Sequence, residues 1–225
     1  KAFNLALDLV ENKIVVFLNC DTHFKFTSFK ALRETIDFLE DNDQVGIIGP
    51  TILDSKRGEL NNLNSFHPII ILVKPLKALS EATKKIKILS RFLFYIFKEG
   101  NRIAPDDYLF NNYLDYKKTN WISGCFMVMH KRLWSSTNGL DKRFFIYMED
   151  VDICRSALEL GFSVLVNPRL KISHFGQYKS RSNKNLFNML TNITFWHHFN
   201  SWIKYIYKWR SDFFKMIILQ LKKNF

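Results

Sequence analysis

"KIVVFLNCDTHFKFTSFKALRETIDFLEDNDQVGIIGP", residues 13–50, decides the fold class. It opens on a short run of β-branched and aromatic residues, 13–19, which reads as a buried strand. "SFKALRETIDFLEDN", 28–42, follows with helical periodicity, placing Phe29, Leu32, Ile36 and Leu39 on one stripe. "QVGIIGP", 44–50, reads as a second short strand stopped by Gly49-Pro50. Strand, helix, strand in that order predicts a parallel α/β unit. The first strand runs directly into Asn19-Cys20-Asp21-Thr22, so an amide and a carboxylate stand at its carboxyl end. Ligands of open α/β sheets bind at that end, and a carboxylate there can hold a divalent cation against diphosphate oxygens. Taken alone, the same residues are accounted for by an Asx turn.

Outward from this unit, residues 1–12 read as a helix, 51–67 as loop or short strands, and 68–98 as a basic, apolar helical region. Residues 100–120 read as polar loop, and "NWISGCFMVMHKRLW", 120–134, contains a strand from Cys125 to Met129. "MEDVDICRSALELG", 148–161, reads as a helix closed by Gly161, and "FSVLVNP" and "RLKISHFG" as two further short strands. From about Asn185 the chain is helical, aromatic and basic.

The 225 residues are 47% hydrophobic and 24% charged, which places the chain with globular proteins rather than disordered ones. The three cysteines, Cys20, Cys125 and Cys154, form no C-x-x-C pair. A disulfide framework or zinc site is excluded as the organising feature, a reducing cytosolic compartment is expected, and all three are read as small buried fillers. The longest apolar runs, "PIIILV" and "FLFYIF", are too short to span a bilayer. Charge is uneven: of the net +12, +10 lies in residues 169–225, which hold eleven Lys and Arg against the single acid Asp212.

Acidic residues gather in "GLDKRFFIYMEDVDICRSALELGF", 139–162, where Glu149, Asp150 and Asp152 begin a helix. Acids in a first turn suit the helix dipole. They also follow the aromatic stretch Phe144-Phe145-Ile146-Tyr147, and a carboxylate partly desolvated by such surface gains basicity, as a general base requires. His174, in "ISHFG", ends a short strand and is either structural or a neutral imidazole ligand.

The order "FLNCDT", "NWISGCFMVMHKRLW", "NGLDKRFFIYMEDVDICRSALELGFSVLVNP", "SHFG" resembles the family-2 glycosyltransferases of the GT-A fold, nearest the rhamnosyltransferase-like enzymes of cell-surface polysaccharide assembly. The likeness covers residues 1 to about 180. It implies an α/β fold of GT-A type, a Rossmann-like mixed sheet flanked by helices. The division expected is a catalytic domain over 1–184 and a basic amphipathic helical tail over 185–225. Asn19-Cys20-Asp21 matches the D-x-D-type motif, with Asp21 at the metal carboxylate, Asn19 in its first position, and Cys20 where Pro is common. Trp121, Ser123 and Gly124 match an acceptor-side W-x-S-G segment. Glu149-Asp150 match the E-D pair, Asp150 being the implied base, with Asp152 beside it on the substrate side. His174 matches a histidine near metal and diphosphate.

The implied reaction is an inverting single displacement from a nucleotide-sugar donor, with deoxythymidine-diphospho-rhamnose the donor by resemblance. The acceptor is a cell-surface polysaccharide or lipid-linked glycan, and the cofactor Mg²⁺ or Mn²⁺. "KAFNLAL" resembles the family's later helix just ahead of the D-x-D strand. The strands that hold base and ribose, roughly a third of the usual catalytic domain, are therefore expected upstream of Lys1, leaving an N-terminally truncated sheet and weak or absent donor binding by this chain alone.

In the tail, Phe195, Phe199, Trp202, Ile206, Trp209, Phe213 and Ile217 share a helical face opposite Lys204, Lys208, Lys215 and Lys222. Such a helix either lies on an anionic membrane or packs on its own domain with the lysines in water. The first arrangement places the protein in the cytoplasm, peripheral at the inner face of the membrane. The alternative function is a catalytically inactive remnant acting as a membrane-surface binding module. No nucleic-acid partner is expected, because the acids at 21, 149, 150 and 152 have no role in one.

Overall fold

The computed structural model describes residues 2–24, 26, 28–54, 58–60, 116–174 and 191–211. The chain divides into two compact units, one of residues 1–65 and 105–177, the other of 66–104 and 178–225. The expected helical region 68–98 and the end of the tail beyond 211 lie outside the described residues.

The first unit is mixed α/β. Its elements are α1 (Ala2–Asp8), β1 (Ile14–Leu18), β2 (Thr22–Phe24), α2 (Ser28–Asp41), β3 (Val45–Asp54), β4 (Gly58–Leu60), β5 (Lys117–Lys118), β6 (Phe126–His130), α3 (Lys131–Thr137), α4 (Glu149–Glu159) and β7 (Ser163–His174). The sheet runs β1-β6-β3-β7-β2, with β4 on β3 and β5 on β7. The two end strands, β1 and β2, are consecutive in the chain and separated by Asn19, Cys20 and Asp21 alone, so the sheet nearly closes on itself at those residues.

The expected parallel unit is corrected in one respect. β1 and β3 point the same way but are not neighbours, because β6 lies between them, antiparallel to both. β3 does pair in parallel, with β7. A strand from far along the sequence has taken the place between them, and local pattern carries no trace of it.

β3 also continues through Gly49-Pro50 rather than stopping there. Pro50 sits opposite Asn167, and the register breaks immediately after it, between Pro50 and Thr51. That irregularity absorbs the missing N–H of proline. On β7 the same break runs from Asn167 to Lys171, so the two short strands expected from sequence are the two ladders of one continuous strand. Gly49 has its own reason: a Cβ there would strike Ile122, which is fully buried.

The core packs Leu39, Val45, Ile48, Ile52, Phe126, Val128, Leu165, Leu170 and Ile172 between sheet and α2. The buried positions of α2 are Ser28, Ala31, Thr35 and Leu39, whereas Phe29 is exposed and Leu32 and Ile36 are only partly buried. The expected stripe is therefore rotated. Small residues let the helix approach the sheet closely, and their hydroxyls are satisfied there. Ser28 Oγ donates to the Lys171 carbonyl at 2.5 Å. Thr35 Oγ1 donates to the Ala31 carbonyl at 2.6 Å and accepts from Asn167 Nδ2 at 2.9 Å.

On the other side, Phe17 of β1 meets Phe3 of α1 edge-on at 5.0 Å and Trp134 of α3 at 5.7 Å. Asn4 locks α1 to the loop after α3 with a reciprocal pair: its Nδ2 donates to the Leu140 carbonyl at 2.9 Å, and its Oδ1 accepts from Leu140 N–H at 3.2 Å. α4 ends as its sequence predicts. Gly161 has φ +83°. Its N–H bonds to Leu158 and that of Phe162 to Ala157, the paired closure that a left-handed residue permits.

The described part of the second unit contains α5 (Ile193–Lys208), capped by Asn192, whose Oδ1 accepts from Thr194 N–H at 2.9 Å. Ser201, Trp202 and Tyr205 are buried. No helix among the described residues is long and apolar enough to cross a membrane.

Candidate functional site

The site is built on the carboxyl end of β1. The chain leaves Leu18 and turns back into β2 within four residues, closed by Thr22 N–H on the Asn19 carbonyl at 3.1 Å. The turn is therefore made by backbone, and the Asp21 side chain is available for other work. Its Oδ1 lies 3.0 Å from His174 Nε2. β2 pairs antiparallel with the end of β7, and the register sets Thr22 opposite His174. The sheet thus brings together two residues 153 positions apart.

The same turn is fastened to the W-x-S-G segment. Asn19 N–H donates to the Cys125 carbonyl at 2.9 Å, and Thr22 Oγ1 donates to that carbonyl at 3.2 Å. One residue earlier, Gly124 N–H donates to Asp150 Oδ2 at 2.9 Å. Asp150 Oδ1 accepts from Val151 N–H at 2.8 Å. A Cβ on Gly124 would stand 3.2 Å from that of Asp150, so the close approach uses the bare glycine. Three motifs far apart in sequence, Asn19–Thr22, Ser123–Cys125 and Glu149–Asp150, are joined in one hydrogen-bonded chain.

Burial pushes the Asp150 carboxyl above the usual range, against the lowering effect of its two amide partners. Glu149 is pushed up to about 7 by burial first and by the neighbouring Asp150 charge second. Its Oε2 is buried with no hydrogen-bond partner. A pair of adjacent carboxyls held in this way retains basicity that exposed carboxylates lack.

The backbone before them is strained. Tyr147 and Met148 both have left-handed conformations, with φ +68° and +71°. Each costs roughly 1–3 kcal/mol in a residue with a side chain, and such strain concentrates at functional sites. Nothing in "FFIYMED" signals this, because Tyr and Met are poor choices for that conformation. Thr22 and the Cys125 carbonyl are likewise site members that side-chain reading passed over. The signal for Thr22 lay in its place beside Asp21.

The remaining expected residues are placed as follows. Ser123 Oγ accepts from Cys125 N–H at 3.5 Å, and Trp121 accepts through its carbonyl from Thr119 Oγ1 at 3.2 Å. Both are half-buried. Asp152 is only 3% exposed, and Arg143 is held up first by its hydrogen bond to Asp141, with the Asp152 charge the smallest contributor. Cys125 and Cys154 are buried fillers as expected, burial pushing the Cys125 thiol up to about 11, but Cys20 is exposed at the tip of the turn.

Asp21 and His174 supply one carboxylate oxygen and one imidazole nitrogen, a donor pair suited to a divalent cation that takes its other ligands from diphosphate and water. Among the described residues no group of three or more His, Cys, Asp or Glu is gathered to hold a metal by itself.

Comparison with known proteins adds one finding. The chain is similar to a rhamnosyltransferase. It is 24% identical over 102 residues to Rhamnosyltransferase WbbL of Escherichia coli (strain K12), covering 45% of this chain and 37% of that protein. The match thus spans little more than a third of the relative's length. No family model matches the chain. The similarity relates the chain distantly to glycosyltransferases.

Proposed function

We propose that the chain carries the acceptor-side and metal-side machinery of a GT-A-type inverting glycosyltransferase. The enzyme would move a sugar, rhamnose from a deoxythymidine-diphospho donor being the reading by resemblance, to a cell-surface polysaccharide or lipid-linked glycan. The observation that carries this is the hydrogen-bonded chain from Asn19 and Thr22 through Cys125 and Gly124 to Asp150, with Asp21 against His174 at its end.

Asp150 is the base. The Gly124 and Val151 amides aim its carboxylate, and each oxygen keeps a second lone pair. It takes the proton of an acceptor hydroxyl as that oxygen bonds to the anomeric carbon, and the bond from that carbon to the diphosphate oxygen breaks. Burial is what keeps the Asp150 carboxyl basic, and Glu149 stands beside it as the other member of the pair. Asp21 and His174 would hold Mg²⁺ or Mn²⁺, whose contribution when bound is to offset the charge of the departing diphosphate. Trp121 and Ser123 line the acceptor side, and Asp152 is buried in the first turn of the helix that carries Asp150.

The test is calorimetric titration of the chain with a deoxythymidine diphosphate, with and without Mn²⁺, alongside Asp21→Ala. Weak binding that needs Mn²⁺ and is lost in Asp21→Ala is the expected result. Binding indifferent to both would remove Asp21 from the site.

A further inference from the structure

α5 keeps a second apolar stripe after its buried face is accounted for. Ser201, Trp202 and Tyr205 are inside. Ile193, Trp196, Ile203 and Tyr207 are 67%, 45%, 46% and 64% exposed. Their spacing of three, seven and four residues puts them along one side of the helix, with one polar residue, the exposed Asn200, on the same line between Trp196 and Ile203. This differs from the face that periodicity favoured, because Trp202, the centre of that face, is buried. Phe199 bridges the two sides: its ring lies 5.9 Å from that of Trp196 and 5.7 Å from that of Trp202.

Three cations accompany the stripe. Lys204 and Lys208 follow Ile203 and Tyr207 by one position each, so they run along one border, and Arg210 lies 4.3 Å over the Tyr207 ring. Residues 191–211 contain no acid. Aliphatic and aromatic side chains in one line, bordered by cations, suit the boundary between anionic headgroups and acyl chains, where Trp and Tyr place their polar edges and Lys extends its amine to the phosphate layer.

We infer that the Ile193–Trp196–Ile203–Tyr207 face of α5 is a docking surface for an anionic membrane, on which the helix lies in the plane of the interface. A protein partner of matching size would need no cationic border on a helix free of acids, and a spanning arrangement is excluded for α5 by its 16 residues. The inference does not rest on the glycosyltransferase reading. It gives that reading a way to reach a lipid-linked acceptor.

The experiment is flotation of the full chain with vesicles of phosphatidylcholine containing about one quarter phosphatidylglycerol, and with phosphatidylcholine alone. The chain is expected to float with the anionic vesicles at least ~10-fold more than with the neutral ones, and to be released as salt rises. A Trp196→Gln/Ile203→Gln/Tyr207→Gln variant, altered only at exposed positions, is expected to lose ~10-fold or more of this partition, and Lys204→Glu/Lys208→Glu a comparable share. Circular dichroism checks that each variant keeps its helix.

A second readout is quenching of tryptophan emission by brominated lipid, which should fall in Trp196→Phe while flotation persists. Equal flotation of the triple variant and the parent would overturn the inference. So would concentration-dependent self-association that the triple variant abolishes in the absence of binding to vesicles, or salt-dependent binding to oligonucleotides without binding to vesicles.

Discussion

Asp150 and Glu149 are adjacent carboxyls with different surroundings, and their roles separate at the residue scale. Asp150 has an amide donor on each oxygen, whereas Glu149 has a buried Oε2 with none. Asp150→Asn removes the base and also sets its Nδ2 donor against one of the two backbone amides. It is expected to lower sugar transfer by ~10²–10⁴-fold and to lower stability by about 1–3 kcal/mol, as a donor–acceptor assay paired with a thermal melt would show.

Glu149 makes itself felt in the pH dependence of stability instead. Its folded pKa lies near 7 and its ordinary value is 4.5, so the folded state binds its proton more tightly. Stability is then greatest below the ordinary value and falls as pH rises toward the folded one. Glu149→Gln should raise the melting temperature at pH 8, corresponding to roughly 1–3 kcal/mol, and leave it little changed at pH 4. A parent that is more stable at pH 8 than at pH 5, with the variant following the same curve, would contradict the assignment.

At the scale of elements, α2 is held to the sheet by polar contacts where its sequence promised an apolar stripe. Asn167 of β7 is buried and donates to Thr35 of α2 across 132 residues of sequence. Thr35→Val is nearly isosteric, yet it leaves the Asn167 amide without its acceptor. The expected cost is about 1–3 kcal/mol in chemical denaturation. Thr35→Ser, which keeps the hydroxyl, should recover most of it. Periodicity located this helix within a residue or two, because 3.6-residue spacing belongs to the element. Which side it turned to the sheet was decided by Ser28, Ala31 and Thr35, whose small size matters only once a sheet lies close beneath.

For the whole molecule, the sheet order determines where rigidity lies. β3 is flanked by β6 and β7, the described partner of β1 is β6 alone, and Val16 and Leu18 of β1 are exposed. Hydrogen exchange should find the Ile47 and Ile48 amides among the slowest, and those of β1 faster by ~10-fold or more. Equal protection would mean that β1 is covered on its other edge. The candidate site spans this gradient, with Asp21 beyond the end strand and Gly124 leading into β6.

Sequence by itself determined the local features: the elements around 14–18, 28–41, 126–130 and 149–159, the left-handed closure at Gly161, and the polar residues at the end of β1. Each depends on forces acting within a few residues, such as side-chain period, glycine freedom and charge at a helix start. Tertiary structure alone decided that β6 separates β1 from β3, that β3 passes through Pro50, that Tyr147 and Met148 are strained, and that Asp21 meets His174. Those outcomes come from pairing between strands and from backbone amides reaching across the fold. Hydrogen bonds of that kind are made by groups every residue possesses, so no residue type advertises them.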